Sequence, residues 1–405
     1  MARFRTRPSP GFNRRDFVKS AGLGLGAALL ETTGALGTEP IANPKTPAAI
    51  IGHTGQGNYG HGLDLIFNDR DNIQVVAVAD PVASGRGTAA QASRALRQYD
   101  DYRVMLETEK PKLISVAPRW TDRRLPMAMA AFQAGAHVYI EKPIARDLME
   151  ADQILDAADR AGLKVAVAHQ MRLAPSILHL KRSIEQGAIG DLQGIRAYGK
   201  QDARSGGEDM LVLGTHLFDL MRLFAGEALW CTARVLQDGR DITRADARPA
   251  TENIGPVAGN EIEAQFAFPN GVQATFTSRP KLRSIIGHWG MELIGSKATA
   301  RVLADIFPTV YLLPPGEWSA SGKTERWASL EGDPGPAATP AERGFVPANR
   351  RVVDDWLEAI QKNREPICSG RAATKALEMV MGVYEAALSG RRAAFPLPAR
   401  THPLA

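Results

Sequence analysis

Pro47-Ala48-Ala49-Ile50-Ile51-Gly52-His53-Thr54-Gly55-Gln56-Gly57-Asn58-Tyr59-Gly60 is the stretch that decides the fold. Its first half is short and apolar, the pattern of a buried strand, and its second half is a glycine turn. Leu63 to Phe67 follow as an apolar face that predicts a helix. Strand, glycine turn and helix together set bare backbone N–H groups and a helix N-terminus against a pyrophosphate, the fingerprint of dinucleotide binding. Two registers compete. Gly55-x-Gly57-x-x-Gly60 matches the pattern letter for letter but begins three residues past the strand. Gly52-x-Thr54-x-x-Gly57 begins at the strand end but puts Thr54 where the second glycine belongs. An enlarged loop using Gly52, Gly55 and Gly57, with Thr54 and Gln56 as further cofactor contacts, accommodates both. Glycine loops also simply turn a chain, so the flanking elements carry the argument.

Moving outward, Ile73 to Asp80 reads as a second buried strand ending in an acid. An acid at that tip accepts hydrogen bonds from an adenosine ribose, so Asp80 favours NAD. Arg86 stands close enough for a 2′-phosphate, which keeps NADP open, and Asp80 before Pro81 also suits a turn cap. Strands at Lys112–Pro118, His137–Ile140 and Lys164–Ala168 alternate with helices at Tyr102–Leu106, Leu125–Ala134 and Leu148–Ala161. That alternation predicts a doubly wound parallel sheet over residues 46–168. Gly135-Ala136-His137-Val138-Tyr139-Ile140-Glu141-Lys142-Pro143 ends a strand on a charged pair and a proline, which cannot continue the ladder. Lys142 then stands on the rim where open α/β sheets bind ligands. Alone, the pair reads as well as a solvated surface pair.

The second half, residues 169–405, changes period. Glu261–Phe268 alternates polar and apolar residues, Pro269-Asn270-Gly271 turns the chain, and Val272–Thr277 returns as a hairpin partner. Gly194–Gly199, Met291–Ile294 and Ala298–Val302 add strands, while Ile177–Gln186, Asn349–Ile360 and Lys375–Leu388 read as helices. Gly332 to Pro340 is a Pro/Gly-rich loop. The expected fold class is α/β: an N-terminal Rossmann dinucleotide-binding domain plus a C-terminal α+β domain with a large, mainly antiparallel open sheet.

With 405 residues, 44% hydrophobic and 23% charged, the chain has room for two domains of ordinary composition. The net charge of +5 owes much to Arg3, Arg5, Arg7, Arg14 and Arg15. No basic stripe is interleaved with aromatics, so nucleic acid is not an expected partner. Asn13-Arg14-Arg15-Asp16-Phe17-Val18-Lys19 precedes a Gly/Ala-rich apolar run to Leu30, and residues 1–38 resemble a twin-arginine export signal. The run is shorter than the roughly 20 residues a bilayer span needs, so the expectation is an exported, periplasmic protein without a permanent anchor, with the export machinery as a transient partner. Cys231 and Cys368 lie far apart in apolar surroundings and read as buried thiols, although a disulfide between them stays open. No Cys/His spacing indicates a metal.

These motifs together resemble the glucose–fructose oxidoreductase / inositol dehydrogenase / rhizopine catabolism (Gfo/Idh/MocA) family. The glycine loop, Ala79-Asp80, the Glu141-Lys142-Pro143 segment in its Ala-Gly-x-His-Val context, Gly187-Ala188-Ile189-Gly190-Asp191, Gly214-Thr215-His216-Leu217-Phe218-Asp219, Ile294-Gly295-Ser296-Lys297 and Ala387-Leu388-Ser389-Gly390 carry the resemblance. It implies a hydride passed between a tightly held NAD or NADP and a sugar, sugar acid or cyclitol. Lys142 and His216 would be the catalytic pair, and the Lys142–Pro143 peptide would be cis. It implies cofactor contacts from Glu141 and Lys142, and from Pro118 and Trp120 of the Ala117-Pro118-Arg119-Trp120 turn, where Trp120 and Arg119 would border the nicotinamide. Arg123 lies nearby, to meet an anionic or polyhydroxyl substrate or simply to begin a helix at the surface. Gln170, Arg172, Thr215 and Asp219 would join Lys142 and His216 on the substrate. The C-terminal sheet implies a homo-oligomer. Two departures stand out. The acid often found four residues before the histidine is Val212 here, with Glu208 and Asp209 nearby, and the usual Thr-Pro-Asn-x-x-His loop is absent. A glycosidase using transient oxidation by bound NAD, and a non-catalytic ligand-binding relative, remain alternatives.

Overall fold

The computed structural model describes residues 44–280, 289–313, 328–330 and 344–405. The export-signal segment and the Gly332–Pro340 loop lie outside the described residues. Strands β1 (Thr46–Ile51), β2 (Ile73–Ala79), β3 (Arg97–Tyr99), β4 (Leu113–Val116), β5 (His137–Ile140) and β6 (Val165–Val167) form one sheet in the order β3-β2-β1-β4-β5-β6. Every pairing in it is parallel. Such a sheet is covered on both faces, which explains why β4 is buried at every position. The covering helices include α1 (Ala83–Ser93), α2 (Tyr102–Glu109), α3 (Arg124–Gln133) and α4 (Leu148–Ala161). Asp101 and Asp147 cap α2 and α4 by accepting hydrogen bonds from Arg103 and Glu150 backbone N–H groups.

One expected helix is absent. Residues 52–69 run as turns and bends, and Leu63, Ile66 and Phe67 are buried without forming a helix. The reason is local: Gly55, Gly57, Gly60 and Gly62 all have positive φ, +81°, +90°, +59° and +76°, and left-handed residues at this density break any right-handed ladder. Two elements of this first sheet and its helices went unanticipated for the opposite reason. β3 is a three-residue edge strand of Arg-Gln-Tyr, and α1 has no apolar stripe, so neither carries a periodic signal.

After α5 (Pro175–Glu185), β7 (Leu192–Tyr198), α6 (Thr215–Ala225) and β8 (Trp230–Gln237), the chain builds a second sheet, of ten strands among the described residues. Its central order is Gly290–Gly295, β7, Gln273–Ser278, Glu261–Ala267, β8. The hairpin at Pro269–Gly271 is present, and the one parallel contact of β7 is with Gln273–Ser278. Helix α7 (Phe345–Gln361) starts earlier than Asn349, with Pro347 in its first turn, where no intrahelical N–H is needed. It turns back onto the first sheet. Val352, Val353 and Trp356 share a core with Ala48, Ile50, Tyr139 and Ala166, and Trp356 Nε1 donates to Lys164 O at 3.3 Å. Helix α8 (Gly370–Ser389) packs on β8 and α6. Residues 44–405 form one compact unit.

Candidate active site

The Lys142–Pro143 peptide is cis, and Lys142 leaves the end of β5 with its side chain buried at 6% exposure. Its Nζ donates to the Val212 carbonyl at 2.9 Å. That carbonyl sits in a π-helical turn, Met210–Gly214, directly before α6; such turns loosen the regular helical ladder and often mark functional positions. So at the position where the family pattern puts an acid behind the histidine, Val212 instead offers a neutral backbone oxygen to the ammonium. Burial pushes the Lys142 pKa down, and the negative charges of Glu141 and Glu252 only partly offset it.

Glu208 and Asp209 do not supply the missing acid. Glu208 accepts from Thr251 N at 2.9 Å and Arg248 at 3.1 Å. Asp209 accepts from Ser278 Oγ at 2.7 Å and from the backbone of Lys200 and Gln201, tying off the end of β7. Among the described residues His216, in the first turn of α6, therefore has no carboxylate behind it, and its buried Nδ1 has no hydrogen-bond partner. It contacts His169 edge-on at 5.3 Å and Trp289 at 6.3 Å between ring centroids. Burial, then His169 and Lys142, drive its pKa well below the ordinary histidine value, so the ring is a neutral imidazole. Lys142, His216, Gln170 and Trp289 line a cavity of about 280 Å³, whose rim carries Lys200, Arg204 and Glu252.

Three expected substrate contacts are engaged elsewhere. Arg172 clasps Asp219 through both carboxylate oxygens at 2.8 and 2.7 Å, and Arg222 adds a second cation at 3.5 Å. Both side chains of this buried clasp lie outside the cavity lining, because satisfying each other is what permits their burial. Thr215 is buried with its hydroxyl turned back on Leu211 O.

A second cavity, of about 160 Å³, lies at the tips of β1 and β2, lined by Gly52, His53, Asp80, Tyr102, Arg103 and Arg123. Arg123 thus belongs to this end and not to the Lys142 end. Asp80 has no exposed surface. It accepts from Thr54 N at 2.9 Å, Thr54 Oγ1 at 2.7 Å and Val82 N at 2.8 Å. Arg86 donates to the Asp80 carbonyl at 2.6 Å. Neither the carboxylate nor the guanidinium is presented to a ribose as the sequence suggested; the buried acid spends its oxygens on the loop instead. Loop amides are used internally too, Gly55 N on Asn58 Oδ1 at 2.9 Å and Gln56 N on His53 O at 3.0 Å. Gly57 is required by contact as well as by φ, since a Cβ would lie 2.5 Å from the backbone nitrogens of Arg119 and Trp120. Arg119 and Trp120 therefore wall this loop through their backbone, and neither Pro118 nor Trp120 lines the Lys142 cavity.

A dinucleotide fits at both ends of this arrangement. One cavity meets the adenosine end of the sheet and the other meets Lys142. The glycine loop connects them, with Gly52 and His53 on one wall and His61 on the other. Nothing lies within 4 Å of a Cβ built on Gly55, and among the described residues the buried Gln56 Oε1 has no partner, leaving a polar atom for a ligand to satisfy. His61, His169 and Trp289 were not singled out from sequence. His61 directly follows Gly60 of the fingerprint, but nothing local foretold its partner, which is 80 residues away.

Residues 47–169 match the Gfo/Idh/MocA family description "oxidoreductase family, NAD-binding Rossmann fold", and residues 181–395 match its C-terminal alpha/beta domain. A D-apiose dehydrogenase of Paraburkholderia graminis is 25% identical over 344 residues, 80% of this chain and 84% of its own length. A glycosyl hydrolase family 109 protein of Shewanella pealeana is 24% identical and matches over only 44% of each chain. A levoglucosan dehydrogenase solved with NADH and levoglucosan has the same fold, with a TM-score of 0.68 at 20% identity over 87% of this chain and all of that one. Two adjoining family matches, spanning both sheets and the cavity between them, settle the relationship: this chain belongs to the Gfo/Idh/MocA oxidoreductases, enzymes with an NAD-binding Rossmann fold.

Proposed function

We propose that this protein moves a hydride between a nicotinamide dinucleotide and a CH–OH carbon of a sugar, sugar acid or cyclitol. The observation that carries the reading is the buried Lys142 ammonium, fixed by Val212 O at 2.9 Å in a cavity that also holds His216 and Trp289. The cofactor, when bound, accepts or returns the hydride. Gly52, Gly55, Gln56 and Gly57 would hold its middle, and the wall with Arg103 and Arg123 its adenosine end. Lys142 hydrogen-bonds the reacting oxygen and is desolvated enough to exchange a proton more readily than a surface lysine. His216 is a neutral donor or acceptor to a neighbouring hydroxyl. Trp289 offers an aromatic face to a sugar ring, and Gln170 a polar edge.

The test begins with protein purified from an exporting host. Mass and absorbance measurements are expected to find a nicotinamide nucleotide, and a panel including D-apiose, levoglucosan and inositols is expected to reduce it. No nucleotide in the protein and no binding on addition would sink the reading. A second reading rests on the family 109 resemblance: a glycosidase that oxidises and re-reduces its substrate within one turnover. It predicts release of an aryl alcohol from aryl glycosides with no net NADH. A non-catalytic role predicts that K142A leaves the function intact. Export through the twin-arginine route is supported by Arg14-Arg15 and the apolar run behind them, and replacing both arginines by lysine should retain the protein in the cytoplasm. An assembly through the C-terminal sheet is proposed alongside, to be read by sedimentation.

A further inference from the structure

Oxidising an alcohol releases a hydride and a proton, so some side chain must accept a positive charge inside a buried cavity. That requires a counter-charge. Among the described residues His216 has none: its Nδ1 is unpartnered, and the ionisable groups that act on it, His169, Lys142 and His61, are all basic. A second imidazole on the same cavity is better served. His61 Nδ1 lies 2.7 Å from Glu141 Oε1, and Glu141 is 1% exposed. We propose that His61, held by Glu141, is the proton-transfer group of this cavity, a role the family pattern gives to His216. This rests on the hydride-transfer reading above.

Burial pushes the Glu141 carboxyl up, but His61, Lys142 and Arg124 together outweigh it and hold it below the ordinary carboxylate range. An ionised Glu141 can only accept, so a neutral His61 carries its proton on Nδ1 and keeps the Nε2 lone pair free. Nε2 makes no hydrogen bond among the described residues, and the ring lines the cavity beside Lys142. The ring is also held in place. Phe345 packs on it at 4.4 Å between centroids, and Asn349 Nδ2 donates to the His61 carbonyl at 3.2 Å while its Oδ1 accepts from Tyr139 at 2.8 Å. Gly60 lets the loop sit this close: a Cβ there would lie 2.6 Å from Ala117 O and 3.3 Å from Glu141 Oε2. The other ionisable groups on the cavity are Lys142, Lys200, Arg204, Glu252, Asp305 and His216.

In the step, the hydroxyl proton passes to His61 Nε2, and the O–H electron pair becomes the second bond of the carbonyl. The carbon-bound hydrogen leaves as hydride to the oxidised nicotinamide. Lys142 holds the oxygen throughout. Glu141 is the positioning residue. The experiment has two arms. In long-range ¹H–¹⁵N spectra of the full chain labelled at histidine, assigned with H61Q and H216Q, His61 is expected to carry its neutral proton on Nδ1. On acidification His216 should stay neutral well below the ordinary histidine range, and E141L, which removes the acceptor, should loosen the Nδ1 preference of His61. His216 protonating in the ordinary histidine range, or His61 carrying its proton on Nε2, overturns the proposal. In the kinetic arm, with the panel sugar that reduces the cofactor fastest, H61Q is expected to lower kcat by roughly 10²–10⁴-fold and to remove the acidic limb of the pH profile. E141D should keep part of both, and H216Q should keep the limb; loss of the limb in H216Q alone overturns the assignment. A panel with no oxidised sugar overturns the hydride-transfer reading and leaves the spectra to decide which ring nitrogen of His61 carries the proton.

Discussion

Lys142 is a cation kept where little water reaches it, and the Val212 carbonyl is its one hydrogen-bond acceptor among the described residues. Replacing it with Met keeps the volume and removes the charge. The expected outcome of K142M is a folded protein, by circular dichroism, whose kcat falls by roughly 10²–10⁴-fold. His402 offers a stability test away from the cavity. Burial pushes it down to about 4 from 6.5, and its Nδ1 accepts from Leu404 N at 3.1 Å. Because the folded value is the lower one, the unfolded chain binds the extra proton first. The contribution is therefore complete above pH 6.5 and is lost as the pH falls toward about 4, at up to about 1.4 kcal/mol per pH unit. In H402N the amide oxygen can still accept from Leu404, so the melting temperature should fall less steeply over that window; an unchanged slope would falsify the assignment. At this scale the sequence was only partly readable. Lys142 and His216 announce themselves by motif, and both face the cavity. Asp80, Arg172 and Asp219 stand in equally suggestive places, yet each is consumed by a neighbour that only folding brings near. Whether a charged group meets a ligand or another side chain depends on contacts across 26 to 47 residues, which local pattern does not encode.

Elements with a strong period were legible. α4 was read with both ends as observed, because Asp147 caps one end, Gly162 in the left-handed conformation closes the other, and an apolar stripe joins them. The turn after β1 was misread because Leu63, Ile66 and Phe67 have helical spacing, while the four positive-φ glycines just before them decide the backbone. That turn gives the next prediction. G57A forces a side chain into a left-handed position at φ +90° and against the Arg119 and Trp120 nitrogens. It should cost about 1–3 kcal/mol from the backbone conformation alone, and it should weaken nicotinamide nucleotide binding measured by fluorescence. Unchanged affinity and melting temperature would show that the loop relaxes freely and that its closeness to the Arg119 turn is incidental.

Across the whole molecule, the boundary between the two sheets in sequence is not the boundary in packing. Helix α7 comes after nearly all of the second sheet, yet Trp356, Val352 and Val353 complete the core beneath β1 and β5. W356A should therefore destabilise by about 3–5 kcal/mol, and the loss should appear in a single unfolding transition shared by both sheets, followed by calorimetry. Two separate transitions, with only the later one shifted, would show that the sheets unfold independently. The two free thiols fit this interdependence: Cys368 lies in that same core and Cys231 under α8, both buried and too well enclosed to need a bridge.

The return of α7 also bears on how the chain is made. Synthesis delivers β1 to β6 first, but the apolar face that Trp356 will cover stays uncovered while the whole second sheet is still being translated. A domain that ordinarily closes as it emerges is here left ajar on the ribosome, its cofactor-binding rim assembled around a missing wall. His61 depends on the same late arrival, because Phe345 and Asn349 of α7 are what hold it. Truncated nascent chains ending before α7 should engage chaperones and fail to retain nucleotide, so that the segment from Phe345 onward decides when the first half becomes competent.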